Sequence, residues 1–208
     1  MATTITSLVL EATDVAEAEA FYDALGVGDR VRVRETQPPT SGFRGYTISL
    51  VCPHRGNVDA FFRAATDSGA TVLKPAKKSF WGYGAIVQAP DGAIWKFATS
   101  SKKDTGTAEQ EYDDLVLLLG VDDLKATKQF YVDRGLTVGK SFGSKYAEFE
   151  VPSGTIGLAL YPRRAAAKEV GVDVEGSGSH RIAVISDSGA FTDPDGFVWE
   201  ASTADQVG

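Results

Sequence analysis

The chain has 208 residues, of which 43% are hydrophobic and 24% charged, a composition typical of a globular protein with a buried core. Its net charge of −7 argues against a nucleic-acid-binding protein, which normally carries a basic excess. The single cysteine, Cys52, excludes an internal disulfide and a cysteine zinc cluster, and suits a reducing cytosol. No apolar run approaches roughly 18 residues and no signal-peptide pattern is seen, so we expect a cytoplasmic protein with no membrane contact.

The first half of the chain predicts a strand, a helix and then mostly strands. An apolar segment from Ser7 leads to Asp14, which can cap the next helix because its carboxylate accepts the free N–H groups of the first turn. Gly26 lies where that helix needs a left-handed residue to end. Further patterns predict strands at 29–35, 43–52 and 81–88 and a helix at 57–68.

The same pattern recurs at an offset of 109 residues. Asp123 then corresponds to Asp14, Phe130 and Tyr131 to Phe21 and Tyr22, and Gly135 to Gly26. A second shared segment, Pro-Asp-Gly followed by an apolar strand, closes each half at 89–100 and 193–204. Its offset is only 104 residues, so the second copy has lost residues between the two landmarks. A repeat of this kind indicates two related modules.

The second half is predicted to carry the same types of element. Its patterns predict a hairpin from 145–151 and 155–161, a short helix at 163–170 and a strand at 181–185. The Pro-Asp-Gly turn of the second half follows soon after this strand. We therefore expect the second half to have only a shortened counterpart of the helix at 57–68 and the strand at 81–88.

The two halves also differ in charge. Residues 1–104 are nearly neutral, whereas 105–208 carry the net negative charge. The segment 101–110 is polar and has no pattern, and we interpret it as a linker. We therefore predict two domains, 1–100 and 111–208, joined by this linker.

The order of the motifs resembles the vicinal oxygen chelate superfamily, which includes glyoxalase I, extradiol dioxygenases and bleomycin-resistance proteins. The resemblance rests on the strand–Asp–helix–Phe-Tyr pattern, on Trp-Gly-Tyr-Gly at 81–84 and on Asp-Pro-Asp-Gly-x-x-Trp-Glu at 193–200. It covers nearly the whole chain. It implies an α+β fold of two tandem βαβββ modules, the second shortened, that form a cupped mixed sheet around a ligand cavity. Because this fold carries many activities, the resemblance alone assigns none.

The resemblance also implies where a divalent metal binds in the metal-dependent relatives. The first-strand ligand positions hold Ser7 and Val116, and the positions after the turn hold Lys96 and Glu200. Only Glu200 is an ordinary ligand, because the ammonium of Lys96 can donate but cannot coordinate. His180 lies near a further ligand position. His180 and Glu200 are therefore the candidate metal ligands, with Glu200 also the candidate general base, and we expect an incomplete site with no cofactor.

Two further hypotheses concern the cavity. If the modules pack as in the family, Lys96 and Glu200 face each other across the pseudo-twofold axis, and we predict an ion pair between them. Large flat side chains suit stacking against a planar or apolar ligand. The candidate ligand-binding residues are the aromatic Tyr46, Phe80, Trp81 and Tyr83, with Arg44 and Lys96 to hold an anionic group. Trp95 and Trp199 recur at equivalent positions and are interpreted as packing residues.

Three functions are compatible with these patterns. The first is a glyoxalase- or bleomycin-resistance-like protein, monomeric or homodimeric, that binds a small apolar or aromatic molecule between its modules without a catalytic metal. The second is a divalent-metal-dependent lyase, isomerase or dioxygenase that uses His180 and Glu200. The third is a structural or regulatory interaction module that uses the acidic second half. A large exposed apolar patch would favour the third, and a roomy cavity the first two.

Overall fold

The computed structural model describes residues 3–36, 40–79, 82–101 and 107–202 as an α+β fold. The helices are α1 Val15–Ala24, α2 Arg55–Asp67, α3 Leu124–Asp133 and α4 Arg163–Val170. The strands are β1 Ile5–Ala12, β2 Val31–Glu35, β3 Ser41–Gly42, β4 Tyr46–Val51, β5 Thr71–Ser79, β6 Gly82–Gln88, β7 Ile94–Thr99, β8 Asp114–Val121, β9 Thr137–Ser141, β10 Ala147–Glu150, β11 Gly157–Pro162, β12 Gly176–Ser177, β13 Ile182–Ser186, β14 Phe191–Thr192 and β15 Val198–Ala201. Among the described residues, no helix is both long and apolar enough to cross a membrane.

The larger sheet has eight strands in the order β5-β6-β7-β4-β8-β11-β10-β9. Its centre is the antiparallel pair β4–β8, and on either side of this pair lies a parallel neighbour, β7 beside β4 and β11 beside β8. Each half of the sheet is thus one βαβββ unit, 46–99 with helix α2 and 114–162 with helix α3. The two units meet edge to edge through their first strands.

The smaller sheet has five strands in the order β14-β15-β13-β1-β2. It joins the beginning of the described chain to its end, because β1 pairs antiparallel with β13. Strand β2 runs parallel to β1, and β15 runs parallel to β13. A separate two-stranded sheet pairs β3 with β12.

The predicted α+β class and the large mixed sheet are confirmed, whereas the division into two domains, 1–100 and 111–208, stays a prediction. The segments 1–100 and 111–208 each contribute strands to both sheets, so neither is a module with a sheet of its own. Strand pairing is decided by partners distant in sequence, which a local repeat does not specify. The expected shortening is present, since only β14 separates β13 from β15, where the first half has α2, β5 and β6 between β4 and β7.

Both predicted helix caps are present. Asp14 accepts a hydrogen bond from the backbone N–H of Glu17, and Asp123 accepts from the first turn of α3. Gly26 and Gly135 end these helices with φ of +65° and +90°, a conformation that favours glycine. The repeat therefore encodes the same strand–cap–helix–stop unit twice.

The landmarks of the second copy contact each other in the folded protein. The Tyr131 hydroxyl on α3 donates to the Asp193 carboxylate over 2.7 Å, and the indole N–H of Trp199 donates to the Tyr131 oxygen over 3.1 Å. Asp193 also accepts from the backbone N–H of Phe197, which holds the turn before β15. All of these groups are buried, so this cluster ties α3 to a strand of the smaller sheet.

The first copy has a related cluster. The Tyr22 hydroxyl on α1 donates to Asp91 over 2.8 Å, and the rings of Tyr22 and Trp95 are 5.6 Å apart. Trp95, like Trp199, is fully buried, which confirms both tryptophans as packing residues. In each half, an aromatic helix residue therefore packs on the tryptophan that follows the Pro-Asp-Gly turn.

Removing the Tyr131 hydroxyl should destabilise the fold in a pH-dependent way. Burial raises the pKa of the Asp193 carboxyl, and the hydrogen bond from Tyr131 opposes that rise. Tyr131→Phe should lower the free energy of unfolding by about 1–3 kcal/mol near neutral pH. The loss should shrink as the pH falls below the pKa of Asp193, because the protonated acid no longer needs a donor to its charge. Urea unfolding of both proteins at about pH 7 and about pH 4 measures the loss of unfolding free energy at each pH.

The matched control is Tyr83→Phe, which removes a hydroxyl bonded to Asp59 at a less buried position. This variant should lose less stability, with little dependence on pH. An equal loss for Tyr131→Phe at both pH values would contradict the role given to Asp193.

Candidate functional site

The concave face of the eight-stranded sheet contains a cavity of about 900 Å³. It lies where β4 meets β8, at the junction of the two βαβββ units, and it is also lined by β7, β10, β11 and the turn between β9 and β10. A smaller cavity of about 420 Å³ adjoins it on the β5–β6 side and shares four lining residues with it. The junction of the units therefore holds a cavity large enough for a small molecule.

Small side chains leave this space open. Ser49 on β4 lies opposite Val116 on β8, and Val116 lies opposite Gly157 on β11, so a row of short side chains crosses the sheet. In the next row, Leu118 and Ala159 are covered by the alanine-rich face of helix α4. Helix α4 thus fills one end of the concave face, and the cavity is the part that it leaves uncovered.

Three aromatic residues form one wall of the cavity. The ring centroids of Phe142 and Tyr146 are 6.2 Å apart, and those of Tyr146 and Tyr161 are 6.5 Å apart. Phe142 lies at the turn between β9 and β10, where it lines the cavity with 65% of its surface exposed. The Tyr146 hydroxyl donates to Glu148 over 2.9 Å, and burial together with this bond raises the pKa of Tyr146.

An ion pair lies between the larger and the smaller cavity. The Lys96 ammonium on β7 donates to the Glu169 carboxylate of α4 over 2.6 Å, and both residues line both cavities. The Lys96 side chain is only 15% exposed, whereas that of Glu169 is 40% exposed. The ammonium of Lys74 donates to the backbone carbonyl of Glu169. The last turn of α4 is therefore fixed to the sheet by two lysines.

Of the predicted ligand-binding residues, Lys96 lines the larger cavity. Tyr83 lines only the smaller one, and its hydroxyl donates to Asp59 of α2 over 2.7 Å. The Arg44 guanidinium donates to the backbone carbonyl of Asp91 and lies beside that turn. Phe80 and Trp81 lie outside the described residues.

The expectation that Tyr46 lines the cavity is wrong. Tyr46 is 1% exposed and belongs to the core on the opposite face of the sheet, together with Ile48 and Leu50. Side chains of a strand alternate between its faces, so only Ser49 and Val51 of this strand line the cavity. Burial raises the pKa of the Tyr46 hydroxyl, as expected for a core position.

The predicted ion pair between Lys96 and Glu200 is also wrong. Glu200 is on β15 in the smaller sheet and accepts from Arg34 over 2.7 Å. The same guanidinium donates to Glu11 over 2.7 Å. Because β7 and β15 belong to different sheets, the two equivalent repeat positions form two separate ion pairs.

The candidate metal ligands do not fit a divalent ion. The two ring nitrogens of His180 lie 2.5 Å from the carbonyl oxygen of Arg44 and 2.9 Å from that of Asp195, so neither is directed at an open position. The imidazole also stacks on Phe197 with a centroid separation of 3.9 Å. Glu200 is held by Arg34. Within the residues that the structure describes, no group of three or more His, Cys, Asp or Glu side chains could hold a metal ion.

Sequence reasoning missed the aromatic wall and Glu169. Tyr146, directly before β10, and Glu148 alternate with the buried Ala147 and Phe149, and this period-2 signal could have placed Tyr146 on the open face. No local signal identifies Glu169, because its role depends on helix α4 crossing the concave face.

Comparison with known proteins supports the fold. No family model matches the sequence, and no curated protein matches it. Glyoxalase I from Zea mays is similar in structure with a TM-score of 0.65 and 13% identity, over 99% of this chain and 94% of that chain. A candidate dioxygenase from Bacillus subtilis subsp. subtilis strain 168 is similar with a TM-score of 0.58 and 10% identity, over 97% and 86%. The chain therefore has the fold of these glyoxalase and dioxygenase structures.

Proposed function

We propose that the protein binds a small apolar or aromatic molecule in the cavity at the β4–β8 junction, without a catalytic metal. The observation that carries the proposal is the cavity itself, about 900 Å³ with an aromatic wall and a floor of short side chains. Ligand sites of proteins are typically concave, largely apolar and roughly 300–1,000 Å³ in volume. The position of the cavity between two βαβββ units also agrees with the place that the family resemblance implies.

The aromatic wall supports a flat ligand in particular. Phe142 and Tyr146 present ring surfaces beside an open space, and stacking on such rings adds about 0.5–1.5 kcal/mol beyond burial of area. Phe142 gains most, because a bound ring would cover an apolar side chain that is otherwise exposed to water.

An interaction module is less well supported. The exposed large apolar side chains of the described residues are Val72, Val132, Phe142 and Val198, which lie on β5, on α3, at the β9–β10 turn and on β15. They are on separate elements, as is normal for a protein surface. Among them, only Phe142 adjoins a cavity.

Filling the cavity should abolish ligand binding without unfolding the protein. Val116 lies in the row of short side chains that floors the cavity, so the indole of Val116→Trp would occupy the open space. The neutral fluorescent probe phenylnaphthylamine should bind the unaltered protein and bind Val116→Trp at least about tenfold more weakly, a loss of about 1.4 kcal/mol. Fluorescence titration gives both dissociation constants.

The matched control is Val198→Trp, the same change at an exposed strand position in the other sheet. It should leave the dissociation constant unchanged. Equal binding by Val116→Trp, with the fold verified by circular dichroism, would refute the site.

Metal content separates this proposal from a divalent-metal enzyme. After incubation with zinc, nickel, iron(II) or manganese and gel filtration, elemental analysis should find well under one ion per chain. The physical reason is that Glu200 is neutralised by Arg34 and that both His180 nitrogens face carbonyl oxygens. One ion per chain, lost in His180→Ala or Glu200→Ala, would overturn the metal-independent proposal.

A further inference from the structure

We infer that the Glu169 carboxylate competes with an anionic group of the ligand for the ammonium of Lys96. When the ligand binds, its anionic group takes the place of Glu169 at Lys96. The ligand class is then an apolar or aromatic body that carries a carboxylate or a similar anion. This inference rests on the proposed function, because it concerns the same cavity.

Lys96 is at the middle of β7, next to Ser49 of β4, on the face of the sheet that forms the cavity floor. Its side chain is largely shielded from water, and a shielded ammonium requires a compensating acceptor. Its ammonium has three donors, and the carboxylate of Glu169 takes one of them. The ammonium can therefore also donate to an anion of the ligand, beside the Glu169 carboxylate or in its place.

Glu169 is the more exposed partner of the ion pair. It lies in the last turn of α4, and more than a third of its side chain is exposed. Releasing the carboxylate to water requires only a rotamer change, because the helix stays attached through the bond from Lys74 to the Glu169 carbonyl. Lys96 lies on a strand that is paired on both edges, and its side chain is less exposed than that of Glu169. An incoming anion therefore exchanges with Glu169 at the same ammonium.

The other acidic groups at the larger cavity are placed differently. Glu148 accepts a hydrogen bond from Tyr146, and its carboxylate lies 3.8 Å from the ammonium of Lys140 on the neighbouring strand β9. Its negative charge is therefore already paired with a lysine other than Lys96. Asp114 is at the exposed start of β8. Lys145, the other lysine of the lining, belongs to the turn before β10 and is exposed. Lys96 is thus the shielded cation that a ligand anion would meet beside the apolar floor.

Two probes of similar shape test the exchange. Anilinonaphthalene sulfonate carries an anionic group on a naphthalene body, and phenylnaphthylamine has nearly the same body without charge. Glu169→Gln should lower the dissociation constant of the sulfonate about tenfold, because it removes the competitor and leaves Lys96 unneutralised. Lys96→Met should raise the same constant about tenfold. Neither change should move the dissociation constant of phenylnaphthylamine by more than about twofold.

The controls match each change in charge. Asp114→Asn removes one negative charge from the lining and Lys145→Met removes one positive charge, without touching the ion pair. Both should change the binding of the sulfonate by less than about twofold. Circular dichroism and thermal unfolding of all four variants establish that they are folded.

The outcomes separate the two proposals. If phenylnaphthylamine does not bind the unaltered protein, the proposed function fails. If phenylnaphthylamine binds but Glu169→Gln leaves sulfonate binding unchanged, the competition is refuted. This holds even when Lys96→Met weakens sulfonate binding. If Asp114→Asn strengthens sulfonate binding as much as Glu169→Gln does, the effect is one of net charge and the inference is overturned.

Discussion

The antiparallel pairing of β4 with β8 is the interaction on which the rest of the molecule depends. Six residue pairs join these strands, and they convert two βαβββ units into one curved sheet. The register of the pairing places Ser49 beside Val116 and so fixes a row of short side chains at the centre of the concave face. A shift by one residue would turn Tyr46 and Ile48 toward that face and close it. The cavity is therefore a property of the strand register.

Ion pairs occupy the two positions at which the repeat resembles a metal-binding family. In the larger sheet, Lys96 neutralises Glu169, and in the smaller sheet Arg34 neutralises Glu200. The two pairs differ in one respect, since Glu200 lies on a strand whereas Glu169 lies in the last turn of a helix. The proposed exchange concerns the pair at the larger sheet, where Lys96 lines the cavity.

Much of the fold could be predicted from the sequence, because helices, strands, caps and turns depend on local patterns. The helix ends are examples, because aspartate is a residue type that caps a helix and glycine is one that ends it with a positive φ. Both occur at the predicted positions, Asp14 and Asp123 for the caps and Gly26 and Gly135 for the ends. Sheet membership could not be predicted, because the partner of β1 is β13 and nothing near either strand specifies the other. The candidate site was harder still. Tyr46 begins β4 and Tyr146 directly precedes β10, and the face on which each lies is decided by contacts remote in sequence.

The five-stranded sheet has a consequence for the order in which the protein is assembled during synthesis. Every strand of the larger sheet lies between Tyr46 and Pro162, so that sheet can be complete while the last strands are still inside the ribosome. Strand β1 emerges first, yet β13 is among the last elements to appear. Contacts of such long sequence separation form slowly. We therefore expect the edge of β1 that pairs with β13 to remain open until β13 emerges, even after β2 has paired with the opposite edge. An open strand edge is a target for chaperones and for aggregation.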